Sequence, residues 1–420
     1  MQESLDTLCD KKTVIDVWNK DCLGHPMVTL LPSSVKEIQQ ILKIDQPVAV
    51  ACGRHSRYSA IDDSIVIDMQ LMNSIEIKGD LITVGGGCTC LDVVKELETK
   101  VIPTGSRLQV GISGLCLGGG IGILSRQIGL LVDSLVSAEV ILANGELVTA
   151  SNESYPDLFW AIRGGGVSFT FKLHEVEKVI IAKYHYIPKM FKSINKNLIR
   201  HLGYWKSMPV EMYSKMIFYL DKTAEVQYCW SGDMRVGDQQ FKLLGGHPQL
   251  EKLDYIDCLM EGKLDMTKEY NTSAFYYEKS IMLHSLPNES IKQLRHYTST
   301  APTKNSYVAV IRLGGNISKI KERETAFVHR ESQYWVLVIG VIEQNKQETI
   351  TWVQNIINYL DKWRSGSYQT VGIQNDSCAS NISFFGANIL RLSMIKRKYD
   401  PKNIFRYNQN IPPIKFKNYK

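Results

Sequence analysis

The chain is 420 residues long, with 44% apolar and 22% charged side chains and a formal net charge of +6. That length exceeds one small core and implies two domains, or one large domain with insertions. The mild charge is spread along the chain without a basic arm or an aromatic-basic stripe, which argues against nucleic acid as a partner, and no apolar run reaches the roughly 18–20 residues that would span a membrane.

The opening stretch MQESLDTLCDKKTVIDVWNKDC carries acids and lacks an apolar core, so it does not read as a secretory signal. The nine cysteines are odd in number and show no metal-type pairs; CTC at 88–90 is too close for a zinc knuckle. Reduced thiols in an intracellular, cytosol-like compartment fit this pattern. The sequons at Asn271 and Asn316 then read as chance in an Asn-rich chain.

Taken in order, GHPMVTLLP is strand-like and leads into SSVKEIQQILK, a helix that Ser33 or Ser34 can cap with Glu37 in its first turn. PVAV is an apolar run followed by ACGRHSRYSA, which places His55 between Arg54 and Ser56. A single histidine beside a strand is ordinarily a satisfied structural or surface residue. SIVIDM and LITVGGG read as strands, and LDVVKELETK returns to helical spacing. A Gly-rich loop of about 18 residues follows, then a hairpin with Asn144-Gly145 at a type I′ turn. PDLFWAIRGGG reads as a helix stopped by glycines.

From about 185 to 375 the pattern changes. SKMIFYL, SYVAVIRL and YWVLVIGVI alternate with helical runs such as QETITWVQNIINYLDKW, which implies a separate antiparallel sheet covered by helices. Near the end, Ile389, Leu392, Ile395 and Tyr399 share one helical face, and Asp400-Pro401 stops that helix. The expected class is α+β, with units over 1–183 and 184–380 and a C-terminal segment over 381–420 that returns to the first.

LGGGIG at 117–122 lacks the strand-before and helix-after setting of a dinucleotide fingerprint, and there is no triphosphatase P-loop motif. The long loop can instead turn backbone N–H groups towards an anion, or it is a plain surface turn.

Together these segments resemble one family, the berberine bridge enzyme-like FAD-linked oxidoreductases with a vanillyl-alcohol-oxidase (PCMH-type) fold. The resemblance is carried by CGRHS, PTGSRLQVGISG, LGGGIGILSRQIGLLVDSLVSAEVILANGELV, PDLFWAIRGGG, GGNISKIKERETAFVHR, FFGANILRL, KRKYDPKNIF and NQNIPP, in order over most of the chain. It implies two lobes, with FAD held by the N-terminal and C-terminal parts beneath the sheet of the middle part. It also implies covalent attachment of flavin through His55. Many relatives add a cysteinyl bond; the matching position here is Arg107, and Cys116 is out of register, so a single attachment is expected.

By the same resemblance the pyrophosphate lies against Gly53, Arg54, Ser56 and Arg57 and against the loop that contains Val110, Gly111, Ser113 and Gly114. The remaining cofactor contacts implied are Gly105, Ser106, Gly118, Gly119, Gly120, Gly122, Val140, Asn408 and Gln409. Val110 matches a position that controls oxygen access, and its small side chain leans towards an oxidase. The implied chemistry is removal of hydride from a C–H beside a hydroxyl or amine of a small molecule, with O₂ as acceptor; the alternative is a relative that keeps the fold as a non-catalytic binding or structural protein.

Three departures bear on that choice. Arg54 stands where glycine is usual, and it either assists phosphate binding or crowds the backbone. The 163–170 segment is about six residues short. Phe384 replaces a tyrosine that assists deprotonation, with Asn388 retained, so the base comes from elsewhere or the chemistry differs. Asn388, Tyr407 and Tyr276 are the catalytic candidates, with Tyr277 and Glu278 as further replacements for the base. His329 and Arg330 read as pocket-lining or structural.

Overall fold

The structure, a computed structural model, describes residues 9–12, 16–20, 24–162, 167–188, 193–264, 275–368 and 378–414. Asn271 and the glycines at 164–166 lie outside these residues. The first strands are β1 (Asp10–Lys12), β2 (Val28–Leu31), β3 (Val48–Ala51), β4 (Ile65–Asp68), β5 (Ile75–Lys78), β6 (Leu81–Gly85), β7 (Lys100–Val101), β8 (Leu135–Ile141), β9 (Leu147–Ser151), β10 (Ser168–Lys172) and β11 (His174–Glu175). They form a four-stranded sheet in the order β1-β2-β4-β3, a five-stranded sheet in the order β5-β6-β10-β8-β9, and a β7/β11 pair. The strand after the shortened segment therefore still reaches the centre of its sheet.

The rest are β12 (Lys178–Tyr186), β13 (Met212–Tyr219), β14 (Ala224–Trp230), β15 (Gln249–Asp254), β16 (Phe275–Leu283), β17 (Tyr307–Arg312), β18 (Tyr334–Ile342) and β19 (Arg364–Gly366). They make one antiparallel sheet in the order β15-β12-β14-β13-β17-β18-β16-β19. The expected boundary at 183/184 falls inside β12, which joins the large sheet from Lys178 onward. Both faces of this sheet are covered, which is why its strands read as continuous apolar runs. Tyr276 and Met282 face the first sheets, while Tyr277, Ile281 and Leu283 face a second core built with the helices Ile194–Tyr204, Asn288–Thr298 and Lys346–Leu360.

Local signals act as expected at several points. Ser34 caps the helix Val35–Leu42, accepting from Glu37 N, while Ser33 N donates to the Glu37 carboxylate at 2.7 Å. Ile38, Ile41 and Leu42 bury its apolar stripe. The helix Ile389–Tyr399 ends at Asp400, and its Leu392 and Ile395 pack on Trp160 of the helix Pro156–Ile162.

Two readings are corrected. A type I′ turn needs positive φ at both central residues, yet in the β8/β9 hairpin only Gly145 has it, at +84°. Gly145 N donates to Leu142 O and Leu142 N to Glu146 O, so the turn is a type I turn closed by a glycine bulge. Asn144 holds it by accepting from Glu146 N at 3.0 Å. The Gly-rich stretch is also not one loop, because Ile112 and Cys116 bury one face of a short helix, Ile112–Leu117, in its middle.

Buried polar contacts tie the large sheet to the first sheets. The Arg126 guanidinium donates to Met212 O at 2.9 Å, Met208 O at 3.0 Å, Pro209 O at 3.1 Å and Leu313 O. Arg330 pairs with both carboxylate oxygens of Asp133, at 2.7 and 2.8 Å. Asn316 turns its amide inward to Gln127 O, so this sequon asparagine serves the fold. Among the described residues no helix is long and apolar enough to cross a membrane.

Candidate flavin-binding and active site

A cavity of about 680 Å³ opens where the first sheets, the large sheet and the C-terminal segment meet. Two loops form its floor. The loop after β3 brings Gly53 against Gly111, where a Cβ on Gly53 would come within 2.1 Å of Gly111 N. Only glycine permits that backbone contact, and it presses the loops at 53–56 and 110–114 together. Ser56 caps the single turn Arg57–Ser59, and Ser113 Oγ donates to Gly86 O at 2.5 Å.

Most of the expected cofactor residues line this cavity: Gly53, Arg54, His55, Ser56, Gly105, Ser106, Val110, Gly111, Ser113 and Gly114. Gly118, Gly119, Gly122, Val140, Asn408 and Gln409 line it further along. Arg57 and Gly120 stand off the wall, Gly120 because it packs on Leu131. Asn408 is on the wall, but its amide closes on Val50, accepting from the N–H at 3.0 Å and donating to the C=O at 2.9 Å. It seats the C-terminal segment along β3.

Arg54 takes φ of +52°, a left-handed conformation that costs a non-glycine residue about 1–2 kcal/mol. Its guanidinium binds Asp68 at 2.8 Å and Gln70 at 3.0 Å. That pair with a fully buried carboxylate offsets the strain and directs the side chain to β4.

His55 is 8% exposed, and its Nδ1 has no hydrogen-bond partner among the described residues. Burial, aided by Arg107, brings its imidazole from the usual 6.5 down to about 3, against an opposing contact with the Gln109 backbone. The ring is therefore neutral at physiological pH, with an available nitrogen lone pair in the wall of a large cavity. An unpaired buried nitrogen, two glycine-pressed backbone loops and this volume fit a flavin dinucleotide.

His201 is likewise brought to about 3, mainly by burial, with Tyr186 OH at 2.6 Å and Tyr228 OH at 2.8 Å on its ring nitrogens. Both histidines titrate at 6.5 when unfolded but near 3 when folded, so the unfolded chain binds more protons between those values. Stability is then expected to fall as pH drops through that window, by about 1.4 kcal/mol per pH unit for each histidine. Urea midpoints at about pH 7, 6 and 5.5 check this slope; a flat profile would contradict it.

The catalytic candidates do not converge. Asn388 lies off the wall, its amide donating to Glu322 O at 3.0 Å, Thr325 O at 3.2 Å and Ala326 O at 3.3 Å. Tyr407 packs against Val17, Ala49, Ala51, Ala60 and Val66, on the far side of the first sheet. Tyr276 stacks on Trp18, and burial pushes its hydroxyl up to about 12. Tyr277 faces the second core. Glu278 is the one of these that lines the cavity, 3% exposed on β16 and paired with Ile339 of β18, which also lines it.

His329 and Arg330 are structural. The His329 ring fills the space beside Gly366, where a Cβ would come within 1.9 Å. Cys116 is fully buried in the core, which raises its thiol well above the usual range. Trp18, which stacks on His55, was not legible as a site residue, because nothing in DVWNKDC marks it. Cys52, Tyr213 and Tyr368 also line the wall without a sequence signal.

Residues 26–151 match the family described as "FAD binding domain", and residues 374–412 match "Berberine and berberine like". An FAD-linked oxidoreductase of Dictyostelium discoideum is 26% identical over 96% of this chain and 92% of its own. Berberine bridge enzyme-like 23 of Arabidopsis thaliana is 26% identical over 93% of this chain and 84% of its own. The structure of a chitooligosaccharide oxidase superposes with a TM-score of 0.86 at 20% identity, covering 99% of each chain. The two family matches fall on stretches that form much of the cavity wall, which the large sheet completes, and the chain carries an FAD-binding domain and a berberine-like segment, similar over most of its length to berberine bridge enzyme-like FAD-linked oxidoreductases.

Proposed function

We propose that the chain is an oxidase of a small alcohol, sugar or amine, with FAD attached through His55 alone and O₂ as electron acceptor. The observation that carries the reading is the neutral, buried His55 in the cavity wall, whose Nδ1 has no hydrogen-bond partner among the described residues. Arg107 stands where a second, cysteinyl link would form, and Cys116 is enclosed in the core.

Bound FAD supplies the hydride acceptor. The chain tethers it at His55, supports its pyrophosphate on the backbone at 53–56 and 110–114, and shields it with an apolar wall that excludes water. Glu278 Oε accepts the proton of the substrate O–H or N–H, the task for which Phe384 has no acid or base group. Val110, small and on the wall, leaves dioxygen room beside the site. The alternative of a non-catalytic relative drew on the shortened 163–170 segment and on Phe384; the central place of β10 in its sheet and a carboxylate in the same cavity weaken it.

Anaerobic mixing of the full chain with sugars, aromatic alcohols and amines tests this reading. One class should bleach the flavin band near about 450 nm, and hydrogen peroxide should form when air is readmitted. Bleaching by none of these classes, or reoxidation that yields no peroxide, contradicts it.

A further inference from the structure

The short N-terminal stretch around Trp18 precedes the matched FAD-binding region 26–151, yet it reaches into the centre of the molecule. Trp18 N donates to Arg54 O at 3.0 Å, on the residue just before His55. The next residue, Asn19, is 1% exposed. Its amide donates to Tyr276 O at 3.0 Å and accepts from Tyr276 N at 3.1 Å. This side chain imitates a ladder pair on β16 at a point that β19, which pairs only at Met282 and Leu283, leaves uncovered.

So clamped at both ends, Trp18 presents its ring to three others. His55 lies parallel to it at 5.5 Å and 16°, and Tyr276 at 4.5 Å and 12°. The Arg107 guanidinium stands over it at 4.5 Å. An imidazole on a single χ2 torsion turns easily unless packing stops it. Here a planar surface fixes its orientation in the cavity wall, with Nδ1 left without a hydrogen-bond partner among the described residues.

We propose that Trp18, seated by Asn19 and faced by Arg107, is a positioning residue for flavin attachment at His55. This rests on the reading of His55 as the attachment residue. In sum, attachment takes one hydrogen from the flavin 8α-methyl group and one from the imidazole, and forms the C–N bond. Dioxygen accepts both hydrogens and two electrons as hydrogen peroxide. The Trp18 stack has no part in that electron flow; it sets the angle and distance at which Nδ1 meets the methyl carbon.

The test compares wild type, Trp18→Ala, Trp18→Phe, Arg107→Met and His55→Ala, each made as the full chain in riboflavin-limited cells and then given FAD. The rate of appearance of acid-stable flavin is read separately from the dissociation constant of non-covalent FAD. Trp18→Ala should attach flavin about 10-fold or more slowly, with affinity within about three-fold of wild type, and Trp18→Phe should recover the rate to within about three-fold. Should Trp18→Ala fail to fold, Arg107→Met decides, with a loss of rate in the same direction. Attachment at the wild-type rate, or a loss of rate matched by an equal loss of affinity, overturns the proposal. Acid-stable flavin in His55→Ala overturns the His55 reading and the proposal with it. An unlabelled His55→Ala beside a Trp18→Ala of normal rate overturns the role of Trp18 alone.

Discussion

Replacing Glu278 with glutamine is expected to slow substrate-dependent flavin reduction by about 10²–10⁴-fold, the usual weight of a general base. Glutamine keeps the shape and a carbonyl acceptor but cannot take the proton, so substrate affinity should change far less than the reduction rate. The side chain is well placed for this role. On β16 it shares a face with Tyr276 and Met282, towards the first sheets, and it pairs with Ile339 of β18, with Leu337 and Trp335 further along the same wall. Tyr276→Phe and Tyr407→Phe serve as controls, with effects below about 10-fold, because neither ring lines the cavity. Single-turnover reduction under anaerobic conditions reads all three. A Glu278→Gln protein that is reduced at the wild-type rate would place the base elsewhere.

The second large effect concerns stability. Arg330 is fully buried, and its guanidinium meets both oxygens of Asp133 and the Thr325 hydroxyl. Removing the carboxylate with Asp133→Ala leaves a buried cation without its counter-charge, which costs about 3–5 kcal/mol. Arg330→Met should cost a comparable amount by stranding Asp133, whereas the joint replacement by Leu and Met should cost less than the sum of the single changes. Urea unfolding followed by tryptophan fluorescence measures each. The pair also supports the site. Arg330 stands over the Phe327 ring, and that ring packs on Gly119 in the cavity wall. Asp133→Ala should therefore release non-covalent flavin more readily as well. A loss below about 1 kcal/mol would mean the pair is exposed to water in solution.

Much of this fold was legible where the signal is local. Ser34 before Val35 and Asp400-Pro401 after Tyr399 mark helix ends by chemistry that acts within one turn. The apolar runs SKMIFYL and YWVLVIGVI formed strands, at 212–219 and 334–342. His55 and the glycine loops were legible by resemblance, and the structure brings them to one cavity. What escaped the sequence was set by long-range partners. FYYEKSIML does not reveal which face Glu278 takes, because both faces of the sheet are buried. Asn388 and Asn408 look like site residues, but their amides satisfy backbone groups of Thr325 and Val50. The pairing of Asn19 with Tyr276 spans 257 positions, and no periodic pattern encodes it. At the hairpin, Asn144 is held by its own Asx contact to Glu146, which overrode the preference of Asn-Gly for the type I′ turn.

The central claim is that this chain carries its flavin on His55. Acid precipitation of the purified wild type and of His55→Ala tests it most directly. The wild-type pellet should be yellow, with about one flavin per chain, and the variant should release its flavin to the supernatant. Flavin released by the wild type, or retained in the His55→Ala pellet, would contradict the account.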